Sequence, residues 1–347
     1  MLQSVQESSI LRVLFMVMAA VVIVAGLRLF SVVLGPALMA LFFALLCVPL
    51  YQWLQRKGLG AGMALLLLTL LLLAIFIGLA LLVIVSFGVL AETLPEYTAN
   101  LQAQVSQLAD QLSQLGADGD SVESTGNAAV SAIATIAAGV LNAAVVLIIN
   151  ALVILVLLIF LVAESPRYPA RLRRGLGADS DVIARIRAFR SSLVNYFIAR
   201  IKVNFITATG VLIMLLLTGI DAAPLWAVLA FFLSFIPYFG IVIAMIPPLI
   251  LGLAQYGWGM LVLLTVGYTV INQVAEQILA PKIIASEVSL SPALTFFALF
   301  FWGWLFNFMG VMLAAPLTVM IVMVLSSYPE TQWLATLAIA EKKEPEE

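Results

Sequence analysis

Glu276 is a carboxylate in a costly place. It lies near the end of an apolar run that begins at Trp258 and also carries Tyr268, Asn272, Gln273 and Gln277. The i, i+4 spacing of 268, 272 and 276, with 273 and 277 alongside, predicts one broad polar face on a helix. A carboxylate at membrane depth is expensive unless paired or hydrated, so such a face is suited to hydrogen bonding a polar solute or to exchanging a cation or proton. The competing reading is an edge anchor, because Ala280 is only four residues on and Glu276 could snorkel to the surface near Lys282. Nucleophilic and metal chemistry have little to work with. The chain has no His, and its lone Cys47 lies in an apolar run. No Ser-His or Cys-His pair, internal disulfide or Cys/His zinc site is expected, and no catalytic residue, metal or cofactor is assigned.

The elements that must position this face are membrane helices. Of 347 residues, 64% are hydrophobic and 10% charged, with a mean hydropathy of +1.18. This excludes a soluble domain and predicts an all-α polytopic bundle. The net charge of −2 gives no reason to expect a nucleic-acid partner. The first apolar stretch, from Val13 to Leu27, continues past Arg28 without a small-residue cleavage site and reads as an anchor. About six plain spans are expected: Val13 to Val33, Ala37 to Leu54 after a break at Gly35-Pro36, Met63 to Ala91, Asn142 to Leu161, Asn204 to Ile220, and Trp258 to Ala280.

Two further apolar stretches are too long for one ordinary crossing. Ala222 to Ala254 is broken by Pro237, Gly240 and Pro247-Pro248, and Ser289 to Ser326 by Pro292, Gly303, Gly310 and Pro316. Both are read as helical hairpins. Irregular backbone at membrane depth is tolerated where protein buries it or where it lines a cavity, which points to a solute site. Kinked helices of an ordinary bundle are the plainer alternative.

Charge sets the orientation. Glu92, Glu96, Asp110, Asp118, Asp120 and Glu123 meet no base, whereas Arg167 to Lys202 holds nine bases. The positive-inside rule places both termini and the basic segment in the cytoplasm and the acidic insert outside, with Arg28 near an outer helix end. The basic segment could meet anionic lipid headgroups or serve only to set orientation. In the insert, Leu101, Val105, Leu108, Leu112 and Leu115 form a heptad seam for a partner helix of this or another chain. The expected organisation is N-terminal membrane helices (1–91), extracytoplasmic helical insert (92–138), membrane helix (139–163), cytoplasmic basic segment (164–202), transport core with both hairpins (203–327) and cytoplasmic tail (328–347). Asn204, Thr207 and Thr209 add polar groups suited equally to helix–helix bonding and solute contact.

The last third resembles the autoinducer-2 exporter family of bacterial membrane proteins. The matching residues are Phe235-Ile236-Pro237-Tyr238-Phe239-Gly240, Ile246-Pro247-Pro248, Asn272 with Pro281-Lys282-Ile283, Leu290-Ser291-Pro292, Phe301-Trp302-Gly303-Trp304-Leu305, and Gly310 through Ala315-Pro316-Leu317. This covers roughly residues 204 to 325, and the upstream helix order with its outer insert is also similar. The chain departs from the pattern at Ile241, where the family often has proline, and at Asn307, where it usually has glycine. The resemblance implies a bacterial inner-membrane exporter of the small polar signal autoinducer-2, working as homo-oligomers of pentameric form. Some relatives look like Na⁺ or Li⁺/H⁺ antiporters.

The resulting expectation is alternating access to a solute held between the hairpins. Pro237, Tyr238 and Gly240 would shape one tip, Asn307 and Gly310 the other, and Asn272, Gln273 and Glu276 would line the path. The rivals are a cation/proton antiporter working through Glu276 and a non-transporting scaffold whose insert binds a partner.

Overall fold

The computed structural model describes residues 2–115, 118–176, 181–236, 239–283, 291–326, 328 and 331–338. Every regular element among them is helical, as apolar chain in lipid requires, because only a helix satisfies its own backbone within one segment. The order is α1 (Leu2–Leu29), α2 (Ser31–Arg56), α3 (Ala61–Gln114), α4 (Gly119–Glu164), a short 3₁₀ turn, α5 (Tyr168–Leu176), α6 (Asp181–Thr218), α7 (Ala223–Leu233), α8 (Gly240–Tyr256), α9 (Trp258–Gln273), a π-turn (Val274–Leu279), α10 (Ala280–Ile283), α11 (Pro292–Ser326) and α12 (Gln332–Ala338). Among the described residues, six stretches are long and apolar enough to cross a membrane: Ser31–Arg56, Ala61–Gln114, Ile148–Arg171, Arg190–Thr218, Trp258–Ile283 and Pro292–Ser326. Val17–Leu29, Ala223–Leu233 and Gly240–Tyr256 are shorter apolar helices.

Several boundaries differ from those the sequence pointed to. The first break falls at Phe30, and helical bonds resume at once from Leu34 N–H to the Phe30 carbonyl (2.9 Å). Gly35 and Pro36 lie inside α2, where a proline forfeits one bond that a packed membrane helix can spare. Gly35 instead allows close approach, since a Cβ there would sit 3.4 Å from the Met309 sulfur. The third span does not stop at Ala91 but continues as α3 to Gln114 through Pro95. Helices α4 and α6 likewise run unbroken through residues 138–139 and 202–203.

At Val105 the heptad seam meets its own chain. A Cβ on Gly126 would overlap Val105, and the Ser106 hydroxyl donates to Glu123 at 3.1 Å. The end of α3 therefore packs against the start of α4. Leu101 is buried, whereas Leu115 at the far end is 83% exposed.

The chain forms two compact units. One comprises residues 1–45, 160–189 and 287–347, the other residues 46–159 and 190–286. The second unit contains α7 and α8, and the first contains α11.

Candidate functional site in two hairpins

In the second unit, α7 ends at Leu233 and the chain turns back into α8. Gly240 is what lets it turn, because a Cβ there would overlap the Leu233 carbonyl and crowd the Ser234 backbone. Of the carbonyls at the end of α7, those of Phe232 and Leu233 are met by the N–H groups of Phe235 and Ile236 in the turn, and α6 meets two others. Asn204 Nδ2 donates to the Phe231 carbonyl at 3.2 Å, and Arg200 Nη2 donates to the Ser234 carbonyl. A guanidinium also suits the negative end of the α7 dipole.

The same guanidinium holds Glu276 with both nitrogens, Nη1 to Oε2 at 3.0 Å and Nη2 to Oε1 at 2.9 Å. Glu276 is therefore neither a lone carboxylate nor an anchor beside Lys282. It forms a bidentate, charge-assisted pair that ties α6 to the π-turn and, through Ser234, to the first hairpin. Five buried side-chain polar atoms in this unit have no hydrogen-bond partner among the described residues: Gln104 Oε1, Asn204 Oδ1, Ser234 Oγ, Gln255 Oε1 and the Tyr268 hydroxyl.

The π-turn is the local irregularity that carries Glu276. Bonds from i to i+5 replace the α-helical pattern there, so the even ladder 268/272/276 expected from the sequence is interrupted at Val274. Tyr268 is buried, Asn272 half-buried, and Gln273 and Gln277 exposed. The α6–α9 contact is made close by small residues: a Cβ on Gly210 would lie 3.3 Å from Ile271, and one on Gly267 would overlap Met214. Val203, Ala275 and Ala280 share one core cluster. The hydroxyls of Thr207 and Thr209 bond back to their own helix, to the carbonyls of Val203 at 3.0 Å and Phe205 at 2.8 Å. They are spent on backbone rather than offered to a solute. Pro237 and Tyr238 lie outside the described residues.

The open end of this hairpin is fastened to the insert. Tyr97 of α3 donates to Asp221 and accepts from Gln255 Nε2 at 2.7 Å. Gln104 Nε2 donates to the Leu253 carbonyl at 2.8 Å.

In the first unit, α11 is also a hairpin. Trp302 Nε1 donates to Thr318 Oγ1 at 3.0 Å, although 16 residues of straight helix would separate them by about 24 Å. The fold-back occurs at Phe306 (φ −121°, ψ 16°) and Asn307 (φ 55°, ψ −140°). The glycines and prolines expected to break this stretch have other roles. Gly310 is pressed against the Trp302 carbonyl, which a Cβ would overlap, and a Cβ on Gly303 would lie 2.8 Å from Val311. Pro292 opens the first limb and Pro316 lies within the return limb.

The end of the first limb is again met by an arginine. Arg28 Nη1 donates to the Leu305 carbonyl at 3.2 Å and, at 3.4 Å, to Asn307 Oδ1. Its guanidinium lies 5.7 Å from the centre of the Trp304 ring. Of the candidate residues, Gly240 and Gly310 thus shape hairpins, Glu276 and Asn307 are held by arginines, and Asn272 and Gln273 face less crowded surroundings.

Residues 13–330 match the AI-2E family transporter model. The chain belongs to the AI-2E transporter family. It is 28% identical over 332 residues to the AI-2 transport protein TqsA of Escherichia coli, covering 94% of this chain and 95% of TqsA. A relative from Haemophilus influenzae is also 28% identical over 94% of this chain and 95% of its own length. YhhT of Escherichia coli is 25% identical over 319 residues, 89% of this chain and 88% of YhhT. The resemblance drawn from the last third thus extends over almost the whole chain. A helical, multi-pass membrane protein of a transporter family is the identity that fold and family agree on.

Arg200 and Arg28 are the residues that sequence reasoning missed. In the sequence each reads as an orientation signal. For Arg200 a signal was present: it lies ten residues beyond Arg190, is flanked by apolar residues, and stands four residues before Asn204, on the same helix face.

Proposed function

We propose that the chain exports a small polar signalling molecule, autoinducer-2, across the bacterial inner membrane by alternating access. It works as a homo-oligomer with both termini cytoplasmic, and as a carrier rather than an enzyme. The observation that carries this reading is the similarity to the AI-2 transport protein TqsA along 94% of this chain. The Arg200–Glu276 pair supports it. A compact solute rich in hydroxyl groups needs fixed donors and acceptors at membrane depth, and the buried, unpartnered atoms of Asn204, Ser234 and Tyr268 add to those of the pair. Asn272, Gln273 and Glu276 are the proposed path residues, with the tips at Pro237, Tyr238, Gly240, Asn307 and Gly310.

Both oxygens of Glu276 face Arg200, which favours hydrogen-bonding over cation coordination at this carboxylate. The test is efflux from proteoliposomes of purified protein loaded with autoinducer-2 or with Na⁺. Autoinducer-2 efflux above that of empty liposomes is the expected result. Na⁺-dependent proton movement without autoinducer-2 flux would replace this reading with antiport. No flux of either would favour a scaffold.

A further inference from the structure

The first unit has a groove of about 860 Å³ along α1. Its lining runs from Ala20 past Arg28 to Ser31 and Val32, with Trp304 and Asn307 from α11. We propose that this groove holds an anionic phospholipid, its acyl chain along α1 and its phosphate on Arg28.

The groove is apolar over two turns of helix, from Ala20 to Arg28, a length of about 12 Å. A polar solute would gain nothing from such walls, whereas a hydrocarbon chain loses nothing by lying there. The one charge among the lining residues, Arg28, follows that stretch together with the polar groups of Ser31 and Asn307, an arrangement in which a long basic side chain reaches headgroup level. Among the described residues Arg28 has no carboxylate within ion-pair distance. Both of its hydrogen bonds use Nη1, so Nη2 and Nε are open to an external acceptor. The Trp304 ring holds the guanidinium in place. An immobilised, unneutralised guanidinium above an apolar groove is complementary to a phosphate that carries a chain, and the match does not depend on the transported solute.

The test uses the full-length chain purified from mixed phosphatidylglycerol and phosphatidylcholine, with tightly held lipids counted by native mass spectrometry. Wild type should retain phosphatidylglycerol over phosphatidylcholine by about fivefold, the scale of one basic residue facing an anionic lipid. R28M should remove the preference, and R28K should keep part of it. A25W, on an exposed position, should displace the lipid with Arg28 intact. Circular dichroism and a single gel-filtration peak would show that each variant is folded. Undiminished phosphatidylglycerol retention in both R28M and A25W overturns the proposal. Displacement by inorganic phosphate alone would give the site to a free anion and overturn the lipid occupant. Disulfide formation between A25C protomers in a C47A background would give the groove to a second copy, which also overturns it.

Discussion

The limb that ends at Ser234 and the limb that ends at Leu305 each stop with carbonyl groups in largely apolar surroundings. Each is met by an arginine from another helix of its own unit, Arg200 in one case and Arg28 in the other. Each hairpin also closes with a glycine pressed on an earlier carbonyl, Gly240 on Leu233 and Gly310 on Trp302. They differ in what balances the cation. Arg200 has Glu276, whereas Arg28 has a tryptophan face and an amide. The first hairpin is therefore locked by a neutral network whose hydrogen bonds are largely internal. The tip of the second carries a positive charge with no carboxylate within ion-pair distance among the described residues.

The largest effect should come from unbalancing the neutral network. The Arg200 side chain is 9% exposed and that of Glu276 is 33% exposed. Removing the carboxylate strands a cation that cannot reach water, whereas removing the cation leaves a carboxylate that partly can. Glu276→Gln should therefore cost more than Arg200→Met, about 3 kcal/mol against about 2 kcal/mol, read as loss of thermal stability in detergent. Autoinducer-2 efflux should fall steeply in both. Arg28→Met should cost about 1 kcal/mol, because it removes hydrogen bonds but no ion pair. Equal losses at Arg28 and Glu276 would show that the two hairpins are not held in different ways.

The shared glycine device can be tested separately. Gly240→Ala and Gly310→Ala each drive a methyl group into backbone carbonyl, which cannot rotate away as a side chain could. Each should cost about 2 kcal/mol. Gly78→Ala, where nothing lies within 4 Å, should be neutral or slightly stabilising, since alanine is the better helix former. Thermal unfolding of the three variants in parallel checks this, and a tolerated Gly310→Ala would mean that the second hairpin opens more easily than the first.

Much of this was legible in the residues. Hydropathy and Pro/Gly content marked the plain spans and both broken stretches, because the cost of unsatisfied backbone in lipid is large and uniform. The position of each break was less legible. Gly35-Pro36 reads as a break but lies inside α2, and Gly303 and Gly310 read as breaks but let the two limbs of α11 approach. A glycine that permits close approach and a glycine that permits a turn are the same letter, and only the tertiary neighbour distinguishes them. The π-turn has no sequence signature, and the polar ladder through Glu276 keeps α-helical spacing only as far as Gln273. Arg200 was hidden by its company, since a base that follows a run of surface bases counts toward topology before it counts toward a site.

The turn residue of the second hairpin gives the smallest and sharpest test. Asn307 has a φ of 55° and a ψ of −140°, a conformation that a side chain disfavours and glycine does not. Its compensation is one long hydrogen bond, 3.4 Å, from Arg28, which is worth little. Asn307→Gly should therefore raise stability by about 1 kcal/mol, the strain relieved exceeding the bond lost. The same variant removes the amide that occupies Arg28 Nη1 without touching the guanidinium itself. If the second tip is a place where charge is kept available, Asn307→Gly should leave phosphatidylglycerol retention intact or raise it while Arg28→Met abolishes it. A loss of stability in Asn307→Gly would instead mean that the Arg28–Asn307 contact holds the tip together, and the two hairpins would then share a closed, internally satisfied design.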